Sequence, residues 1–213
     1  MAGDPCDRAR RSQADRSDLH ARRRRDGQDL PDEDGLRGLF LTPLPASLRT
    51  SASKAAKDDL VVWRLDRAIF APTWHRGEGA FQVGGRWSPA GRRVVYCALD
   101  PSTAILEVAV HKGFKVLDTV AHTLLSIGIS KPDKVHVLDV ATIPNKNWLR
   151  AGTVSAGQQA FGANLLDQHP LVVVPSVVSV HSWNLLIDVD SATGMSDLMA
   201  SEDFSLDTRL NPP

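Results

Sequence analysis

The chain has 213 residues, 42% hydrophobic and 23% charged, which suffices for one ordinary globular core with an appendage. Twenty-five Lys plus Arg balance twenty-five Asp plus Glu, so no global charge argues for a binder of nucleic acid or anionic membrane. The two cysteines, Cys6 and Cys97, exclude a cysteine-based zinc site and a disulfide framework; with no apolar run near about eighteen residues, a soluble protein in a reducing, cytoplasmic setting is expected.

Residues 1–59 read as a polar leader. The first thirty positions carry eight Arg, including Arg22 to Arg25, interleaved with six Asp, and contain almost nothing that could be buried. This Arg cluster has two readings, a nucleic-acid or partner contact and a solvated segment, and the second is the expectation. Eleven of the twelve aromatic residues follow position 59, so the folded domain is expected over 60–213.

Leu60 to Asp66 alternates, with Val61, Trp63 and Leu65 on one face and Val62, Arg64 and Asp66 on the other, as a half-buried strand does. Residues 76–91 contain five glycines and read as a long loop without a G-x-G-x-x-G phosphate fingerprint. Val94 to Leu99 predicts a strand. Asp100-Pro101 predicts a capped helix start, with the helix running to Lys112 and Gly113 closing it in the left-handed region. Strands are then expected over Val120 to Ile129 and Val135 to Val140, a helix over Thr153 to Leu166, and strands over Leu171 to Val174 and Val177 to Val180. Several strands follow one another without helices between them, which predicts an α+β or mixed α/β fold and argues against a doubly wound one.

The chemistry-bearing candidates are few. Glu107 lies mid-helix among Ile105, Leu106, Val108, Ala109 and Val110, where an acid needs a reason. Thr103, Ala104, Glu107 and His111 form a narrow polar stripe that either lines a ligand site or faces water. Arg64 and Arg86 are the residue type a diphosphate requires, a permanently charged planar fork, although strand arginines are often merely solvated. Tyr96, the only tyrosine, either stacks on a flat ring or packs in the core, and Ser176 either presents its hydroxyl at a sheet kink or satisfies a turn. The seven histidines show no metal-ligand spacing, so no metal is expected, and no G-x-S-x-G elbow supports a serine nucleophile.

Trp63-Arg64, Gly85-Arg86-Trp87-Ser88, Val95-Tyr96-Cys97-Ala98, Ala104-Ile105-Leu106-Glu107, Val174-Pro175-Ser176 and Phe204 to Leu210 together resemble, in order, the RES-domain family. The resemblance implies an ADP-ribosyltransferase-like mixed sheet with a few flanking helices and a bacterial toxin neutralised by an Xre-like antitoxin. It also implies NAD⁺ as substrate, with ADP-ribose delivered to a protein or to water. By the same resemblance Arg64 and Arg86 hold phosphate and ribose, Tyr96 lies beside the nicotinamide ring, Glu107 beside its ribose, and Ser176 on a central strand. These five side chains are expected to share one cleft. One departure stands out: family members usually carry Asn-Pro and His-Pro pairs after the asparagine matching Asn184, where this chain reads Leu185 to Ser191. The alternatives are an inactive binding module that uses the Arg-rich leader and an RNA-cleaving toxin, the latter disfavoured because no paired His or His-Lys lies near the glycine loop.

Overall fold

The computed structural model describes residues 60–150, 154–179, 181–207 and 209. The leader and its Arg cluster lie outside the described residues.

Among the described residues seven strands form one mixed sheet. They are β1 (Leu60–Arg67), β2 (Val94–Ala98), β3 (His122–Ile129), β4 (Val135–Val137), β5 (Leu171–Pro175), β6 (Trp183–Asp188) and β7 (Ser196–Phe204). Their order across the sheet is β4-β5-β6-β2-β1-β3-β7, antiparallel throughout except for the parallel β4–β5 pair. Among the described residues the α-helices are α1 (Glu78–Val83), α2 (Pro101–Lys112), α3 (Phe114–Thr119) and α4 (Ala156–Gln168), with a run of 3₁₀ turns at Ala68–Arg76. This is the α+β architecture expected.

Alternation sorts the strand residues into two faces. One face carries Leu60, Val62, Val95, Cys97, Leu125, Ile127, Leu171, Val173, Trp183, Leu185 and Ile187, and Trp74 from the 3₁₀ segment seals it. Each fully buried Leu, Ile or Val there contributes about 1.5–3 kcal/mol, so this layer dominates stability. Cys97 sits within it, where burial pushes its thiol pKa up to about 12, and it is chemically inert. On the other face Leu65 packs with Ala109 of α2, Leu117 of α3 and Leu206.

Several expectations are corrected. The 76–91 stretch contains α1, bracketed by Gly77 and Gly84, because four of its five glycines flank the helix rather than interrupt it. Val177 to Ser179 bend instead of forming a strand: the Ser179 N–H donates to Ser176 Oγ and the Ser179 and Ser182 hydroxyls lie 2.8 Å apart, a local capture of backbone that outcompetes β-branched propensity. Val177 to Ser179 therefore belong to the connection between β5 and β6 rather than to a strand, and Val180 lies outside the described residues. The strand expected to Val140 stops at Val137, and a 3₁₀ turn follows, with Asp139 accepting from the Ala141 N–H. The later helix begins at Ala156, where Ser155 caps it. The Asp100 cap is as expected: its carboxylate accepts from the Thr103 N–H at 2.8 Å and from the Thr103 hydroxyl at 2.6 Å. Gly113 takes a positive φ of 82° but an extended ψ of 149°, so it turns the chain into α3 rather than ending α2 with a left-handed cap.

His136 of β4 and His169, just past α4, stack with centroids 4.0 Å apart and planes 2° from parallel. Burial and the neighbouring His169 lower the His136 pKa below its ordinary value. A histidine pKa depressed by folding makes a contribution that is present above about pH 6.5 and lost as pH falls through the folded pKa. The melting temperature is therefore expected to fall between about pH 7 and pH 5, less steeply in His136→Gln than in the native chain; equal slopes would show that His136 does not titrate with folding.

Candidate functional site

Glu107 projects from the second turn of α2, and its side chain retains 25% exposure. Its Oε1 accepts from Ser176 Oγ at 2.9 Å and from Asn184 Nδ2 at 2.6 Å. Ser176 is fully buried at the end of β5, and its hydroxyl in turn accepts from the Ser179 N–H, which aims its proton at the acid. It both satisfies the turn and serves the carboxylate, so the two readings of this serine coincide. On the solvent side His111 Nε2 lies 3.9 Å from Glu107 Oε2.

Tyr96 and Asn184 share a sheet face, because Tyr96 lies opposite Leu186 and Ala98 opposite Asn184 in the β2–β6 register. The Tyr96 ring lies over Gly85, where a Cβ would come within 2.5 Å of the hydroxyl. The hydroxyl is 2.9 Å from Ser88 Oγ and accepts from the Trp87 N–H at 3.3 Å. Burial raises its pKa, against the pull of these hydrogen bonds and of Arg86, and the phenol stays neutral. Tyr96 thus points into the glycine loop with its hydroxyl paired, rather than packing in the core with a solvated tip.

Arg86 donates to the Trp148 carbonyl at 2.7 Å and to the Arg150 carbonyl at 3.4 Å. Burial lowers its pKa, and the Glu107 carboxylate and Tyr96 oppose that shift. The guanidinium remains charged and keeps donors to spare. Trp87 beside it packs near Trp148 and Phe161, at 6.0 and 6.5 Å between centroids, and fixes the loop against α4.

Arg64 departs from the expected convergence of five side chains. β1 and β2 pair only at Trp63↔Ala98, which puts Trp63 on the Tyr96 face and Arg64, its neighbour, on the other. Its Nη1 donates to the Tyr96 carbonyl at 2.9 Å, in the opening where the two strands part, and Nε and Nη2 clasp Asp66 at 2.6 and 2.9 Å. Burial works against its charge, but Asp66 more than offsets this and the pKa is raised. The structure therefore joins Glu107 to Ser176 and Asn184, sets Tyr96 on the Asn184 face of the sheet with Arg86 in the loop that the Tyr96 hydroxyl bonds, and attaches Arg64 to the backbone beneath Tyr96. Asn184, legible in the sequence only as the match to a family asparagine and given no place in the site, is the further partner; in WNLLID the alternation of Trp183, Leu185 and Ile187 already leaves it on the opposite face.

Two other depressions lie apart from this cluster. One, of about 520 Å³, is lined by Arg92, Asp188 and Ser191, with Arg92 neutralised by Asp188 and Asp167; the other, of about 380 Å³, is lined by Trp74, His75 and Leu198. Neither contains Glu107 or its partners, so the site rests on convergent polar chemistry rather than on cavity size. Among the described residues no group of three or more His, Cys, Asp or Glu is placed to hold a metal, and no helix is long and apolar enough to cross a membrane.

The chain is similar to known proteins in family and fold. The profile of the RES domain matches residues 61–207. Proteins named Toxin Res from Photorhabdus laumondii and Pseudomonas putida are 32% and 30% identical to this chain, each over 71% of it and over 97% and 99% of their own lengths. Among solved structures, the MbcT–MbcA toxin–antitoxin complex of M. tuberculosis contains a chain that superposes with a TM-score of 0.57 at 23% identity, covering 69% of this chain and 85% of that one. That likeness speaks to the fold.

Proposed function

The chain belongs to the RES domain family, and on that premise we propose that it is the toxin of a toxin–antitoxin pair that cleaves the nicotinamide–ribose bond of NAD⁺. The observation that carries this reading is the Glu107 carboxylate, held by Ser176 and Asn184 on a half-buried helix face. When the glycosidic bond breaks, its electron pair leaves with nicotinamide as a neutral heterocycle, and positive charge develops on the ribose. One carboxylate suffices to hold the 2′-hydroxyl and stabilise that charge, whereas most glycosidases need a second acid to protonate the leaving group. Arg86 supplies a fixed charge for the diphosphate, Tyr96 a flat apolar surface over the glycine loop, and Ser176 a proton directed at the acid. Arg64 steadies the strand that carries Tyr96 and offers its remaining donors at the opening between β1 and β2.

The sugar cation is captured by water or by a nucleophilic side chain of a second protein, and the captured oxygen or nitrogen loses a proton. An antitoxin neutralises this chemistry by covering the Glu107 face. Mass spectrometry of NAD⁺ incubated with the protein, with and without cell extract, tests the proposal. Nicotinamide and free ADP-ribose without extract identify a hydrolase. Nicotinamide release that requires extract, with a protein gaining ADP-ribose mass, identifies a transferase. No release by folded protein in either condition rejects the proposal and returns attention to a binding role.

A further inference from the structure

The two oxygens of Glu107 have unequal surroundings. Oε1 accepts both hydrogen bonds, from the hydroxyl of Ser176 and the amide of Asn184, while Oε2 faces the open side, with exposed His111 3.9 Å away. We propose that Asn184 is a positioning residue that, with Ser176, reserves Oε1 and leaves Oε2 as the oxygen that meets the sugar; this rests on the reading above. A single donor fixes where a carboxylate oxygen lies but leaves the group free to rotate about its own bond. Two donors, Ser176 just past the end of β5 and Asn184 at the Val174↔Asn184 register position of β6, fix the plane of the carboxylate as well.

The amide can face only one way. Turned over, its oxygen would lie 2.6 Å from a carboxylate oxygen, two acceptors in contact, so the Nδ2 donor must point at the acid. That orientation leaves Asn184 Oδ1 buried without a hydrogen-bond partner. An unpaired buried amide oxygen destabilises a fold, and an aliphatic residue of similar size would avoid the penalty. Asn184 therefore orders the acid but leaves an unpaired buried oxygen, which offsets what its bond to the carboxylate contributes to stability.

The test compares Asn184→Leu, Asn184→Asp and Glu107→Gln for nicotinamide release and thermal melting. In Asn184→Leu kcat is expected to fall about 10–100-fold with KM changed by less than about threefold, because the carboxylate is misaligned rather than lost. Its melting temperature should be unchanged or higher. Asn184→Asp sets a second carboxylate against Oε1, and the pair must share a proton; kcat is expected to be low at neutral pH and to recover as pH falls, which structural damage would not do. Full kcat in Asn184→Leu beside an inactive Glu107→Gln overturns the proposal, as does a kcat loss that tracks a lower melting temperature without acid recovery in Asn184→Asp. If Glu107→Gln is itself fully active, the catalytic reading fails instead. A crystal structure of Asn184→Leu then decides the positioning role independently: a carboxylate plane unchanged from the native one overturns it, and a plane rotated about the remaining Ser176 bond, with Oε2 displaced, supports it.

Discussion

Glu107→Gln is expected to lower the rate of nicotinamide release by about 10²–10³-fold, with KM and melting temperature close to native. The substitution is unusually clean at this position. The Gln amide has the same shape and can present its oxygen to both Ser176 and Asn184, so α2 and the β5–β6 turn lose no hydrogen bond there. What disappears is the negative charge on the open side, the component that a developing sugar cation needs and a ground-state NAD⁺ does not. A group that acts mainly in the transition state alters kcat far more than KM. Steady-state kinetics check this directly, and a variant that keeps more than a tenth of native kcat would remove Glu107 from the chemistry.

How far the sequence foretells these features depends on whether the signal is local. The strand at Leu60 and the Asp100-Pro101 helix start were legible because alternation and capping are set within a few residues. β7 was not, because at the sheet edge it pairs only with β3 and most of its residues, Leu198 and Met199 included, are exposed, so no buried face imposes alternation. Val177 to Ser179 misled for the opposite reason: β-branched residues suggest a strand, but the hydroxyls of Ser176, Ser179 and Ser182 close a turn. In the site, Glu107 was visible as an acid among aliphatic helix neighbours and Ser176 as a hydroxyl between apolar runs. The placement of Arg64 was not, although its alternation with Trp63 was read as the structure has it. Which face that parity selects depends on the Trp63↔Ala98 register, a pairing across thirty-five positions that no local pattern contains. Asn184 needed the same kind of information, since only the β5–β6 register and the crossing of α2 bring it to Glu107.

Gly162→Ala is expected to destabilise the fold by more than about 2 kcal/mol and to depress activity as well, although glycine-to-alanine changes within helices ordinarily stabilise by up to about 1 kcal/mol. The reason is a backbone contact. A Cβ at position 162 would lie 2.1 Å from the Trp87 carbonyl oxygen and 2.6 Å from the Trp87 carbonyl carbon, and neither atom can swing aside as a flexible side chain would. The helix or the loop has to move. Trp87 is joined to Arg86 on one side and to Ser88 on the other, and its own N–H and the Ser88 hydroxyl hold Tyr96, so displacing that loop disturbs the cation and the aromatic surface together. The same helix contains its control: nothing lies within 4 Å of a Cβ at Gly157, and Gly157→Ala should leave the melting temperature unchanged or raise it. Thermal melts of the two variants with nicotinamide release measured alongside make the comparison. Should Gly162→Ala behave like Gly157→Ala, α4 would not press on Trp87, and the support that this contact gives to Arg86 and Tyr96 would have to come from elsewhere.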